Sequence, residues 1–315
     1  MYVALQIFFI LLLLGAGVLA RKAGMLTRIG TSELAKVLMG IIYPALILYS
    51  ITRKSLADLI ANWPLPLLTM LLAVVGLWIG LATIKWMKKM PDQTARGFLF
   101  HCMMNNYLFL PLPIVLLLFG ADGVSLLIFS SVGFELLIWT VGVFILAPGS
   151  SLKERIRMSM GAPPIMLFIA LMTVVVRDTL GIRMDQAPTL AQHVVHLVEF
   201  SLNSLGNGTV PLSFIVAGSR MADLHPHFIR DKRIWMVSTI RLIVIPAVML
   251  LILAFLPITP LARGVLTVVA VMPSAVASIA FSERFGGDGE FIAGALLLTH
   301  IGALITVPLF LALAL

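Results

Sequence analysis

The chain has 315 residues, 60% of them apolar and only 11% charged, with a mean hydropathy of +1.08 and a formal net charge of +8. A soluble domain carries about twice that charged fraction, so the composition excludes an ordinary soluble protein and describes a polytopic membrane protein. Its one cysteine, Cys102, excludes an intrachain disulfide framework and a multi-cysteine metal site.

Ten apolar runs follow one another, each long enough to cross a bilayer. The first, 2–20, has its basic residues Arg21 and Lys22 after the run, so a retained helix is expected and not a signal peptide. The second, 33–51, carries Pro44, and the third covers 64–84. The fourth, 97–118, contains HCMMNNYLFLPLP, with Asn105 and Asn106 ahead of Pro111 and Pro113. The fifth, 124–147, carries Glu135, and a basic stretch at 150–162 separates a first unit, 1–149, from a second, 163–315. The sixth, 163–180, precedes a long seventh, 190–218, holding Glu199, Asn207 and Pro211. The eighth, 234–256, carries Arg241; the ninth, 263–282, Pro273, Ser274 and Ser278; the tenth, 290–314, His300.

Lys and Arg alternate in density from loop to loop. The loops after odd-numbered runs hold 16 of the 22, those after even-numbered runs 5, and Arg241 is the remainder. The basic residues are therefore scattered as membrane topology requires, and no nucleic-acid partner is expected. Both termini are expected on the non-cytoplasmic side, with the 150–162 linker cytoplasmic. The bacterial inner membrane is the expected location.

The two units echo one another. Ala95-Arg96-Gly97 recurs as Ala262-Arg263-Gly264, and Pro44 as Pro211, each 167 residues on. Phe119-Gly120-Ala121-Asp122-Gly123 recurs as Phe285-Gly286-Gly287-Asp288-Gly289. Five helices is an odd number, so the second unit enters the membrane inverted, an arrangement found in secondary transporters whose site lies where discontinuous helices meet.

Runs four and nine carry the breaks. Pro111, Pro113 and Pro273 cannot donate to the carbonyls of Tyr107, Phe109 and Val269, and freed backbone groups survive in a membrane only inside protein or beside a wet cavity. A lone proline commonly does no more than kink a helix. Here Asn105 and Asn106 can cap the half-helix that follows, and Pro273 shifted back by 167 falls on Asn106. Half-helix N-termini suit an anion, Ser274 and Ser278 add hydroxyls, and no acidic residue stands at either break.

These residues resemble the auxin efflux carrier family, which includes plant auxin efflux carriers and bacterial malonate and carboxylate permeases. Asn106 and Pro113 match its Asn-x6-Pro element, MPSAVASIAFSERFGGD (272–288) its Met-Pro-Ser-Ala stretch, and YPALILYSITR (43–53) its second-span element. The likeness covers nearly the whole chain. It implies an all-α fold similar to bile acid/sodium symporters, with ten transmembrane helices in two inverted five-helix repeats and helices four and nine broken where they cross. It implies a substrate contact at Asn106 and a crossing proline at Pro273. Tyr107, Leu108 and Pro111 stand where the family has smaller residues, which makes for a tighter, more aromatic pocket.

The expected substrate site is Asn105, Asn106, Tyr107, Pro113, Asn207, Pro273 and Ser274. Asn207 serves substrate or packing equally well. Glu135, Glu199 and His300 are ionisable residues inside spans, open either to a proton or ion role or to interhelical hydrogen bonding. His101 is expected at the cytoplasmic interface, and Arg241 either pairs with Glu199 or snorkels. His193, His196 and Glu199 share a helix face without a second ligand cluster, so no metal is expected, nor any cofactor.

The function expected is alternating-access transport of a small, auxin- or malonate-like organic anion. H+ or Na+ coupling, a bile-acid-like substrate, a channel, a receptor and a homodimer remain alternatives. No appended soluble domain is expected from these runs, which disfavours a receptor. The chain also lacks the H-E-x-x-H, G-x-S-x-G and P-loop patterns, so it does not read as an enzyme.

Overall fold

The structure is a computed structural model. It describes residues 2–87, 90–108, 110–146, 151, 153–154, 156, 161–182, 188–222, 226–285 and 287–314, with the backbone alone at 2–11, 113, 121, 226–227, 280 and 283–285. The described residues are overwhelmingly helical, and their extended pairing is confined to an isolated bridge between Asn105 and Ser274. In chain order the helices are α1 (Tyr2–Lys22), α2 (Arg28–Thr52), α3 (Leu56–Ala61) and α4 (Pro64–Met87). Next come α5 (Asp92–Met103), α6 (111–119), α7 (Asp122–Leu146), α8 (Ala162–Thr179), α9 (Thr189–Asn207) and α10 (Thr209–Met221). The last four are α11 (Lys232–Phe255), α12 (Pro260–Ala270), α13 (Ala277–Phe285) and α14 (Gly289–Ala314).

Helices cover all ten apolar runs. Among the described residues, α2, α4, α7, α8, α11 and α14 are each long and apolar enough to cross a membrane. Runs four, seven and nine are not continuous helices: four and nine are divided into α5/α6 and α12/α13, and seven at Gly208 into α9/α10. Most of the expected linker, 150–162, lies outside the described residues.

Local chemistry sets the ends. Thr27, Asp231 and Thr259 accept N–H groups of the first turns of α2, α11 and α12, and Ser55 and Asp58 form a reciprocal capping box at α3. Gly24 (φ 75°) and Gly181 (φ 63°) turn the chain after α1 and α8. Wide π turns occur at Leu38–Ile42 and Ile240–Val244, each two residues ahead of a proline, Pro44 or Pro246. A proline removes the donor for the carbonyl four residues back and crowds it, which favours a local widening.

The outside is apolar. Trp78, Phe255 and Ile305 are all more than two-thirds exposed, as lipid-facing side chains are. Trp63 and Trp86 stand exposed at the two ends of α4, where amphipathic rings favour the membrane–water interface. Inside, helices approach through small residues. A Cβ on Gly218 would lie 1.9 Å from the Leu14 carbonyl oxygen, and one on Gly133 2.0 Å from that of Pro66. Phe281 of α13 packs on Phe100 of α5 (5.7 Å between centroids) and Trp139 of α7 (4.9 Å), so aromatic side chains fill the space around the broken helices.

Gly120 separates α6 from α7 with φ 65° and ψ −158°, a region open essentially to glycine. A Cβ there would meet nothing within 4 Å. Gly120→Ala is therefore expected to cost about 1–3 kcal/mol through the backbone alone, read as a lowered thermal midpoint. Gly289→Ala, also in open space but without a positive φ, serves as the control that leaves it unchanged.

Candidate functional site

Helix α5 stops at Met103 because Met104 turns extended (φ −107°, ψ 121°), and helix resumes only at Pro111. Helix α12 stops at Ala270, and α13 begins at Ala277. The two unwound segments meet antiparallel. The Asn106 N–H donates to the Pro273 carbonyl at 2.8 Å, and the Ala275 N–H donates to the Met104 carbonyl at 3.2 Å. Each break thus satisfies backbone groups that the other has released, as buried backbone in a membrane protein requires. Pro273 has no N–H to offer the Val269 carbonyl four residues back; the Asn105 side-chain amide donates to that carbonyl instead.

The side chains at the breaks are only partly satisfied. The Asn106 Oδ1 accepts the Leu110 N–H at 3.2 Å, as a cap at the entry to α6 does. Its Nδ2 is buried with no partner among the described residues, and the same holds for Asn105 Oδ1, Ser274 Oγ and Ser278 Oγ. Unused buried hydrogen-bonding groups are rare in proteins and call for a reason.

A cavity of about 30 Å³ lies beside them, lined by Asn105, Asn106, Tyr107, Tyr43, Thr209 and Ser213 over an apolar floor that includes Val276. That is room for about one water. An organic ligand would need its walls to part.

Tyr107 connects this cavity to Glu135. Its hydroxyl donates to Glu135 Oε1 at 2.5 Å and lies 2.9 Å from the Tyr43 hydroxyl, while its ring stacks on Phe134 at 4.8 Å. Glu135 also lines a second small cavity with Ser50, Ser131 and Tyr43. Tyr43 therefore reaches both cavities.

The other expected residues are distributed unevenly. Pro273 sits in the pairing of the two breaks, and Pro113 is the third residue of α6, its side chain outside those described. Asn207 is exposed at the end of α9 and does not line the cavity. The polar residues that do, from the following helix, are Thr209 and Ser213; like Tyr43, neither stands out in the sequence. The signal was slight: a hydroxyl beside Gly208, and a Tyr before Pro44.

Glu199 lies in a separate, mostly apolar groove of about 740 Å³ with Arg177 and Thr52, sharing no residue with the cavity. His300 is buried, its Nδ1 2.9 Å from the Leu296 carbonyl and its ring edge-on to Phe214 at 6.2 Å. Two expectations are corrected. His101 is not interfacial but fully buried beside Phe291, at 6.3 Å. Arg241 neither pairs with Glu199 nor snorkels: it is fully buried and donates to the Cys102 carbonyl at 3.3 Å and the Ala270 carbonyl at 3.1 Å.

Two segments, residues 2–162 and 150–311, match the family of membrane transport proteins. The chain belongs to that family. The match covers nearly all of this transporter, including both breaks, and agrees with the resemblance to auxin efflux carriers. An uncharacterized transporter of Methanocaldococcus jannaschii is 24% identical over 312 residues, covering 96% of each chain. Membrane transport is thus the established frame, and the paired breaks are one place within it where buried polar atoms lack a partner among the described residues.

Proposed function

We propose that this transporter is a secondary carrier of a small organic anion, a carboxylate of the malonate or auxin type, working by alternating access around the paired breaks. The observation that carries this reading is the buried, unpartnered Asn106 amide beside the cavity. Ala275, Val276 and Ala277 bring the N-terminus of α13 to the same cavity, and a helix N-terminus favours negative charge. Among the described residues no side chain lining the cavity is acidic or basic, so recognition would rest on amide, hydroxyl and helix-end donors. Asn105, Asn106, Tyr107 and Ser274 form the grip, with Pro113 and Pro273 keeping the helices open. Asn207 would act indirectly, through the chain entering α10.

The architecture proposed is ten spans in two inverted five-helix repeats, 1–149 and 163–315, joined by a cytoplasmic linker at 150–162. Recurring helix starts support it. Pro64 and Lys232 are 168 residues apart, as are Asp92 and Pro260; Asp122 and Gly289 are 167 apart. The positive-φ glycines Gly120 and Gly287 are also 167 apart. The charge asymmetry of the loops supports both termini on the non-cytoplasmic side of the bacterial inner membrane. Glu135 is the best-placed residue for proton coupling, because Tyr107 links it to the cavity; His300 and Glu199 have no comparable route.

Proteoliposomes test the reading. Uptake of labelled mono- and dicarboxylates is expected to saturate and to show counterflow for at least one of them. Non-saturating flux with unitary conductance would mean a channel, and chemical conversion of the ligand would mean an enzyme.

A further inference from the structure

Arg241 stands on the π turn Ile240–Val244 of α11 and is fully buried. Such a charge in a membrane protein is costly and needs partners. Among the described residues no carboxylate pairs with it; its two bonds go to the carbonyls of Cys102 and Ala270. These carbonyls occupy equivalent places. Each lies in the last turn of a half-helix, α5 or α12, three or four residues ahead of the bridged pair Asn105 and Ser274. In an unbroken helix the N–H four residues on would have bonded each carbonyl. The Asn106 N–H has gone to Pro273 instead. Arg241 supplies a donor to both orphans at once, and its positive charge faces the negative dipole ends of two half-helices. A planar fork of donors suits that double contact better than a point charge does. Gly76 closes the far side, since a Cβ there would lie 2.0 Å from the Cys102 carbonyl oxygen.

We propose that Arg241 is a tethered cation: a positioning residue that joins the C-terminal ends of α5 and α12 and fills the place an exchangeable alkali cation would otherwise take between them. The two half-helices then stay together as the site opens and closes, and the crossing needs no sodium. Only this last consequence, for coupling, rests on the transport reading; the clamp itself does not.

The test uses the purified full chain and reads thermal unfolding, which requires no substrate. The wild-type midpoint is expected to be the same in NaCl, KCl and N-methylglucamine chloride at equal ionic strength. Arg241→Ala is expected to lower it by several degrees and to regain part of the loss in low-millimolar guanidinium but not in equimolar urea, its neutral counterpart. Sodium-specific stabilisation of the wild type would overturn the inference, and so would an Arg241→Ala protein indifferent to guanidinium. Should Arg241→Ala not purify, Arg241→Lys decides: an ammonium is expected to give a lower midpoint than wild type, and an unchanged one would overturn the clamp. If no carboxylate is transported, the unfolding results still stand. Sodium-stimulated uptake, by contrast, would sink the tethered cation and leave the anion site intact.

Discussion

Replacing Asn106 with Ala is expected to reduce carboxylate uptake by about ten- to a hundred-fold, the effect of losing one hydrogen bond to a charged ligand at about 1.5–3 kcal/mol. The same change removes the cap on the Leu110 N–H, worth about 1 kcal/mol, so a modest fall in thermal midpoint should accompany it. The two effects can be separated. Asn106→Asp keeps an acceptor for the Leu110 N–H but has no amide to donate and sets a like charge against an anion. It should therefore be at least as poor in uptake as the Ala variant although the cap is kept, while its carboxylate, buried without a cation to pair it among the described residues, lowers the midpoint in its own right. The measurement is initial uptake into proteoliposomes alongside the unfolding midpoint. Normal uptake by either variant would remove Asn106 from the site.

Gly76→Ala should prevent accumulation of folded protein. Gly76 is buried in α4, and the added Cβ would stand 2.0 Å from the oxygen and 2.9 Å from the carbon of the Cys102 carbonyl, and 3.3 Å from Ile245 Cδ1. The obstacle is backbone, not the end of a flexible side chain, and that carbonyl is also held by Arg241. Overpacking a tight interior costs about 1–3 kcal/mol even where side chains can move; here they cannot absorb the clash. Gly15→Ala is the contrast, because a Cβ there meets nothing within 4 Å. Size-exclusion profiles of detergent extracts should show a monodisperse peak for Gly15→Ala and little or none for Gly76→Ala. Equal peaks would contradict the packing described.

Much of this was legible in the residues. Asn-Asn and a proline pair inside an apolar run cannot form an uninterrupted lipid-facing helix, and the 167-residue echo pointed to a counterpart at Pro273. Less legible was what the breaks do for one another. The bond from the Asn106 N–H to the Pro273 carbonyl joins residues far apart in the chain, and main-chain pairing leaves no mark on side-chain type. The partners of Arg241 are hidden for the same reason: a carboxylate such as Glu199 can be picked out of a sequence, whereas two orphan carbonyls cannot. Tyr43, Thr209 and Ser213 carry nothing in the sequence that sets them apart from the other hydroxyl residues of the apolar runs. Asn207 reads equally as a substrate contact or as packing, and in the structure it is exposed at the end of α9, where the chain turns at Gly208.

The central claim is that a carboxylate is held at the paired breaks by Asn106. The most direct check is ligand-induced stabilisation of the purified protein by a panel of mono- and dicarboxylates, run in parallel on wild type and Asn106→Asp at two pH values, with and without sodium. At least one carboxylate is expected to raise the wild-type midpoint in a concentration-dependent way, with no rise in Asn106→Asp. An equal rise in both proteins would contradict the assignment.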